Sequence, residues 1–284
     1  MGNIFNIKRF GLVIRKDIME EWKRYTLMFL TMLGLIAIML IYSYLDYCDD
    51  VKTTGNYQSS INNEVLVYLS LMFCGFGLIF ASTFMHPMNS KLKKITYLVS
   101  PSSNLEKFLT RWIIVTIVYI ISFFIAMWVA DALRVVICAA RYPDLDVAFV
   151  DLTKLVSPYE DFNLRDYVFP KYIFIMFVNL YLLFQSLCIL GSTFWEKSSF
   201  IKTFTAGASI FLAYILICRW AILLSYGNFE GFQNVLNSLE FININKYNEK
   251  DALIFISCVM SFFTLSFWIL AFFRFRESEI IKRF

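Results

Sequence analysis

The chain has 284 residues, 59% apolar and 19% aromatic, with 26 Lys and Arg against 22 Asp and Glu and a formal net charge of +4. Soluble domains hold roughly 45–50% apolar residues, so this composition excludes an ordinary soluble domain. The small net charge does not point to nucleic acid, and its distribution along the chain carries the information instead.

Six apolar runs dominate, at about residues 26–45, 65–85, 112–130, 172–194, 204–226 and 252–273. Each is long enough to cross a ~30 Å hydrocarbon core, which takes about 20 helical residues. None alternates at period two, which argues against a β-barrel. The expected fold is an all-α integral membrane protein: an interfacial helix over residues 1–25, then one six-span domain over 26–284.

In chain order, Ile7, Phe10, Ile14, Ile18, Trp22 and Tyr25 recur at helical spacing, with Lys8, Arg15, Lys16, Glu20 and Lys23 largely on other faces. This predicts an amphipathic helix lying among lipid headgroups. Tyr42, Tyr44 and Tyr47 mark the outer end of the first span, and a short acidic loop follows. The second span carries Gly75-Phe76-Gly77, which permits close helix approach. It ends at His86-Pro87, where the histidine reads as an interfacial residue.

Residues 86–111 form the segment around which the chain is organised. Leu92, Ile95, Leu98 and Val99 recur at helical spacing while Lys91, Lys93 and Lys94 take other faces, predicting a short amphipathic surface helix. Pro101 breaks it. Ser103-Asn104-Leu105-Glu106 is a Ser-x-x-Glu capping box that starts the helix entering the third span. The geometry is that of a surface knob; a plain solvated loop is the simpler alternative.

The loop over about 131–171 is acidic, with Pro143, Pro158 and Pro170, and apolar enough for a small folded cap. In the fourth span Asn179 and Gln185 are polar amides, at least one of which should face inward. The fifth contains Arg219, about two turns from the outer end, placed either to snorkel or to pair with an acid such as Asp131. A second outer loop over about 228–251 has weak helical character, and Arg274–Phe284 forms a short amphipathic tail.

With the N-terminus inside, the cytoplasmic segments hold 17 of the 26 basic residues and 7 of the 22 acidic ones. The positive-inside rule therefore puts both termini in the cytoplasm. The six cysteines are scattered; Cys48 and Cys138 alone have positions compatible with pairing. With one histidine and no Cys-x-x-Cys, no metal constellation is expected. No phosphate-binding loop of the Gly-x-x-x-x-Gly-Lys-Ser/Thr type is present, and no Gly-x-Ser-x-Gly elbow. The chain is therefore not expected to be an enzyme or to hold a cofactor.

Three features now stand together: the basic helix with Arg15-Lys16-Asp17-Ile18 ahead of the first span; the run from Ile95 to Ser103 with Glu106-Lys107 behind it; and six spans with both ends inside. Together they resemble the permease subunits of type 2 ABC transporters, over essentially the whole chain. The large outer loop differs in place: the family has it before the last span, and here it precedes the fourth.

The resemblance implies a permease of the bacterial cytoplasmic (inner) membrane, habitually an exporter. It would pair with a second copy or a related permease and with a separately encoded subunit that binds ATP and Mg. Docking would fall to Lys91, Lys93, Lys94, Ile95, Tyr97 and Leu98, with Ser103 and Glu106 shaping the helix start. Asn179, Gln185 and Arg219 would line the substrate path. The alternative is a multi-pass receptor or scaffold whose outer loops bind a ligand; a secondary transporter lacks a buried acid deep in any span.

Overall fold

The computed structural model describes residues 6–54, 61–88, 95, 97, 102–143, 149–150, 170–195, 198–226 and 249–281. Among these there is no strand. Six long helices follow one another: α1 (Ile7–Thr54), α2 (Ile61–Ser82), α3 (Asn104–Arg141), α4 (Pro170–Phe194), α5 (Ser199–Tyr226) and α6 (Glu249–Ile281). Each contains an apolar window long enough to cross a membrane. The protein is a multi-pass helical membrane protein.

Several helices outrun the apolar segments that predict them. Residues 1–25 were expected as a separate element, yet α1 runs unbroken through Tyr25 into the first span. Its 48 residues make a rod of roughly 72 Å, more than twice a ~30 Å core. The expected outer loop at 131–171 begins later than predicted, because α3 continues to Arg141. Most of that loop, and nearly all of 228–251, lies outside the described residues. The C-terminal tail is, as far as Ile281, simply the end of α6.

Two apolar clusters hold the bundle together. The first joins Ile36 and Leu40 of α1, Val65 and Leu69 of α2, Phe123, Ala126 and Ala130 of α3, and Tyr181 of α4. Small residues at 126 and 130 let α1 and α3 approach closely, which is how helices associate where lipid supplies no hydrophobic drive. Gly77 serves the same end: a Cβ there would sit 2.5 Å from the Tyr181 hydroxyl. Gly75 faces open space. The second cluster lies at the other end of the helices, joining Phe84, Met85 and Met88 to Tyr97, Phe108 and Val115 of α3, Ile189 of α4 and Phe275 of α6. No disulfide joins the cysteines; Cys48 and Cys138 are buried without one.

A π-helical turn at Ile114–Val118 interrupts α3. It adds a residue to one turn and so shifts every later position around the helix. In an uninterrupted helix the face running through Lys107, Arg111 and Ile114 would continue to Val118, Ile121 and Ile125. Those three are 38%, 55% and 51% exposed, whereas Tyr119, Phe123 and Ala126 are buried. The turn also leaves the Val115 carbonyl to accept from Gln185 Nε2 of α4 at 3.3 Å.

Candidate functional site

The start of α3 is built as the sequence predicts. Ser103 sits in extended conformation, and its hydroxyl accepts from the Glu106 amide at 3.3 Å. Glu106 Oε2 in turn accepts from the Ser103 amide at 3.0 Å, closing the capping box. The structure adds a second use for that carboxylate. Glu106 is fully buried and also accepts from the Asn6 amide at 2.9 Å and from Arg9 Nε at 2.7 Å. One side chain thus caps α3 and clasps the start of α1.

Two further polar contacts extend this seam. Arg111 of α3 reaches Asp17 of α1, with its Nη2 donating to Oδ1 at 2.8 Å and its Nε lying 2.7 Å from Oδ2. Arg111 Nη1 also donates to the Tyr25 hydroxyl at 3.1 Å. Both members of the ion pair are buried, at 4% exposure each. One turn on, Glu21 meets His86 Nδ1 at 3.0 Å and Arg24 at 3.0 Å. Buried charges are tolerated only with partners of this kind, because their lost hydration must be replaced.

These contacts give the N-terminal helix a buried acidic face beside its apolar stripe. In the stripe Ile7, Ile18 and Trp22 are exposed and Phe10, Ile14 and Tyr25 half-buried, whereas the fully covered side chains are the acids Asp17 and Glu21. Their i, i+4 spacing, which puts both on one face, is the one signal in the sequence. His86, expected as an interfacial residue, belongs to this network.

Of the expected docking residues, Lys91, Lys93, Lys94 and Leu98 lie outside the described residues. Ile95 and Tyr97 differ in burial. Ile95 is 60% exposed, whereas Tyr97 is buried at 9%. The Tyr97 ring lies edge-on to Phe275 at 6.5 Å and beneath the Lys107 ammonium at 5.5 Å. Tyr97 is therefore packed against α3 and α6, with its ring turned away from the surface.

The three expected path residues are not brought together. Gln185 is fully buried and binds the π turn of α3, which makes it a helix–helix tie. Asn179 accepts from Ser261 of α6 at 3.2 Å. Arg219 is exposed on α5. It does not meet Asp131, whose carboxylate accepts from Arg134 Nε at 2.7 Å and from the Val150 amide at 2.9 Å. Arg134 is itself buried, its guanidinium stacked 3.7 Å above the Tyr44 ring. No group of His, Cys, Asp and Glu able to hold a metal occurs among the described residues.

Fold and site together define the class: a helical membrane protein whose charged seam ties its N-terminal helix to the junction between the second and third spans. Comparisons with protein-family models, with curated proteins and with solved structures found no match.

Proposed function

We propose that this chain is the membrane-spanning subunit of an ATP-driven transporter, an exporter, set N-in and C-in in a bacterial cytoplasmic membrane. ATP and Mg belong to a separately encoded subunit that docks on the segment between α2 and α3. The observation that carries this reading is the paired orientation of Ile95 and Tyr97: one exposed, the other anchored among Phe108, Phe275 and Lys107. A knob can drive a membrane domain only if its outer face meets the partner and its inner face is fixed to the spans. The Glu106 clasp extends that fixed base to α1, so a push on the segment is delivered to α1, α3 and α6 together. Transitions of this kind need rigid elements with differential contacts in two states. A second copy or a related permease completes the path.

The test is purification of the intact chain in mild detergent with an ATPase assay on whatever accompanies it, beside an Ile95→Asp variant. Ile95 is chosen because its exposure lets the substitution leave the fold intact. An accompanying ATPase that is lost with Ile95→Asp supports the permease reading. A stable protein without an ATPase, unaffected by the variant, moves the assignment to a receptor or scaffold.

A further inference from the structure

A cavity of about 320 Å³ lies between α1, α2 and the π turn of α3, lined among others by Ile18, Tyr25, Phe29, Met32, Phe80 and Val118. Its lining is almost wholly apolar, and its volume is at the small end of ligand pockets. Its rim includes exposed Thr31, Ile79 and Val118, so it opens sideways from the apolar spans toward the bilayer. The π turn helps to create it, because the added residue swings Val118 outward and leaves Tyr119 at the back wall.

One face of α1 continues out of this cavity with a graded chemistry. Phe29 and Tyr25 line the cavity, Trp22 is exposed one turn on, Ile18 lines the near end, and exposed Arg15 follows at i−3. Residues three and four apart share a helix face, and Arg15 to Phe29 spans roughly 21 Å at the helical rise. Nearby acids are already matched: Asp17 by Arg111, Glu21 by Arg24 and His86, and Glu20 by Lys16 at 3.6 Å. No carboxylate meets Arg15 among the described residues, so a cation is left uncompensated below an aromatic belt and an apolar slot.

We propose that this groove is a binding site for one anionic phospholipid, its acyl chain in the cavity and its phosphate at Arg15. The site is independent of the transport reading. Tyr25 links it to the charged seam, since this cavity-lining residue also accepts, through its hydroxyl, from Arg111. An occupied groove therefore braces α1 against α3 where Arg111 already holds them.

The experiment uses the full chain reconstituted in phosphatidylcholine vesicles with a trace of phospholipid bearing a photoactivatable group near the chain end. The head is phosphatidylglycerol in one arm and phosphatidylcholine in the other, and adducts are mapped by peptide mass spectrometry. Expected are adducts concentrated on Phe29, Met32 and Phe80 over Phe211 and Tyr214 of exposed α5. The anionic probe should be favoured about fivefold, the weight of roughly one basic residue at a charged surface. Ser122→Phe, which fills the cavity, should remove those adducts and spare the ones on α5; Thr31→Trp at the rim serves if Ser122→Phe does not fold. Arg15→Gln should equalise the two probes. Equal labelling of cavity and α5 would overturn the proposal by making the groove ordinary lipid-facing surface. Cavity adducts indifferent to the headgroup would overturn it too, showing an acyl chain held without recognition of the anionic head.

Discussion

Arg111 and Asp17, 94 positions apart in sequence, form a buried ion pair that fastens the third span to the N-terminal part of α1. Of its two contacts only Nη2 to Oδ1 is well directed; Nε approaches Oδ2 obliquely. Removing one member of a buried pair strands the other without hydration, at a typical cost of about 3–5 kcal/mol, while removing both is far milder. Asp17→Leu and Arg111→Leu are each expected to lower stability in detergent by that order. The double variant should recover most of the loss, as a double-mutant cycle on thermal or denaturant midpoints will show.

Ser103 and Glu106 make a second, separable prediction. Ser103→Ala removes only the cap and should cost about 1 kcal/mol. Glu106→Ala removes the cap partner and the clasp on Asn6 and Arg9 together. Hydrogen exchange should therefore speed up at the first turn of α1 in Glu106→Ala and stay unchanged there in Ser103→Ala.

Gly77 and Gly75 offer an internal control. A methyl at Gly77 meets the Tyr181 ring and approaches Tyr119, both rigidly packed, whereas at Gly75 it meets nothing. Gly77→Ala should destabilise by about 1–3 kcal/mol, the usual cost of overpacking. Gly75→Ala should be neutral or slightly stabilising, and comparison of their midpoints decides it.

Gln185→Met tests whether a buried amide serves structure or transport. A hydrogen bond between membrane helices contributes on the order of 0.6 kcal/mol, so stability should fall only slightly. In a reconstituted system transport-linked ATPase should be retained; its loss at unchanged stability would return Gln185 to the substrate path.

The six spans, the helical class and the cap at Ser103 were legible in the sequence because each depends on local composition or spacing. Apolar length sets a span, and a hydroxyl three residues before a glutamate sets a helix start, whatever the neighbours do. The helix ends were misjudged where polar residues continue a helix beyond the lipid: Asp131 and Arg134 satisfy each other and stay inside α3.

Only the tertiary structure decided which polar groups meet. Asp17, Glu21, His86, Glu106 and Arg111 are brought into one seam by the packing of α1 against α2 and α3. Tyr97 turns inward because the ends of α3 and α6 offer it an aromatic pocket. The π turn re-aims α3 by one residue, so periodicity read from either half assigns the other to the wrong face. Local patterns fix what a segment is; the pairing of its charges depends on distances that the sequence does not carry.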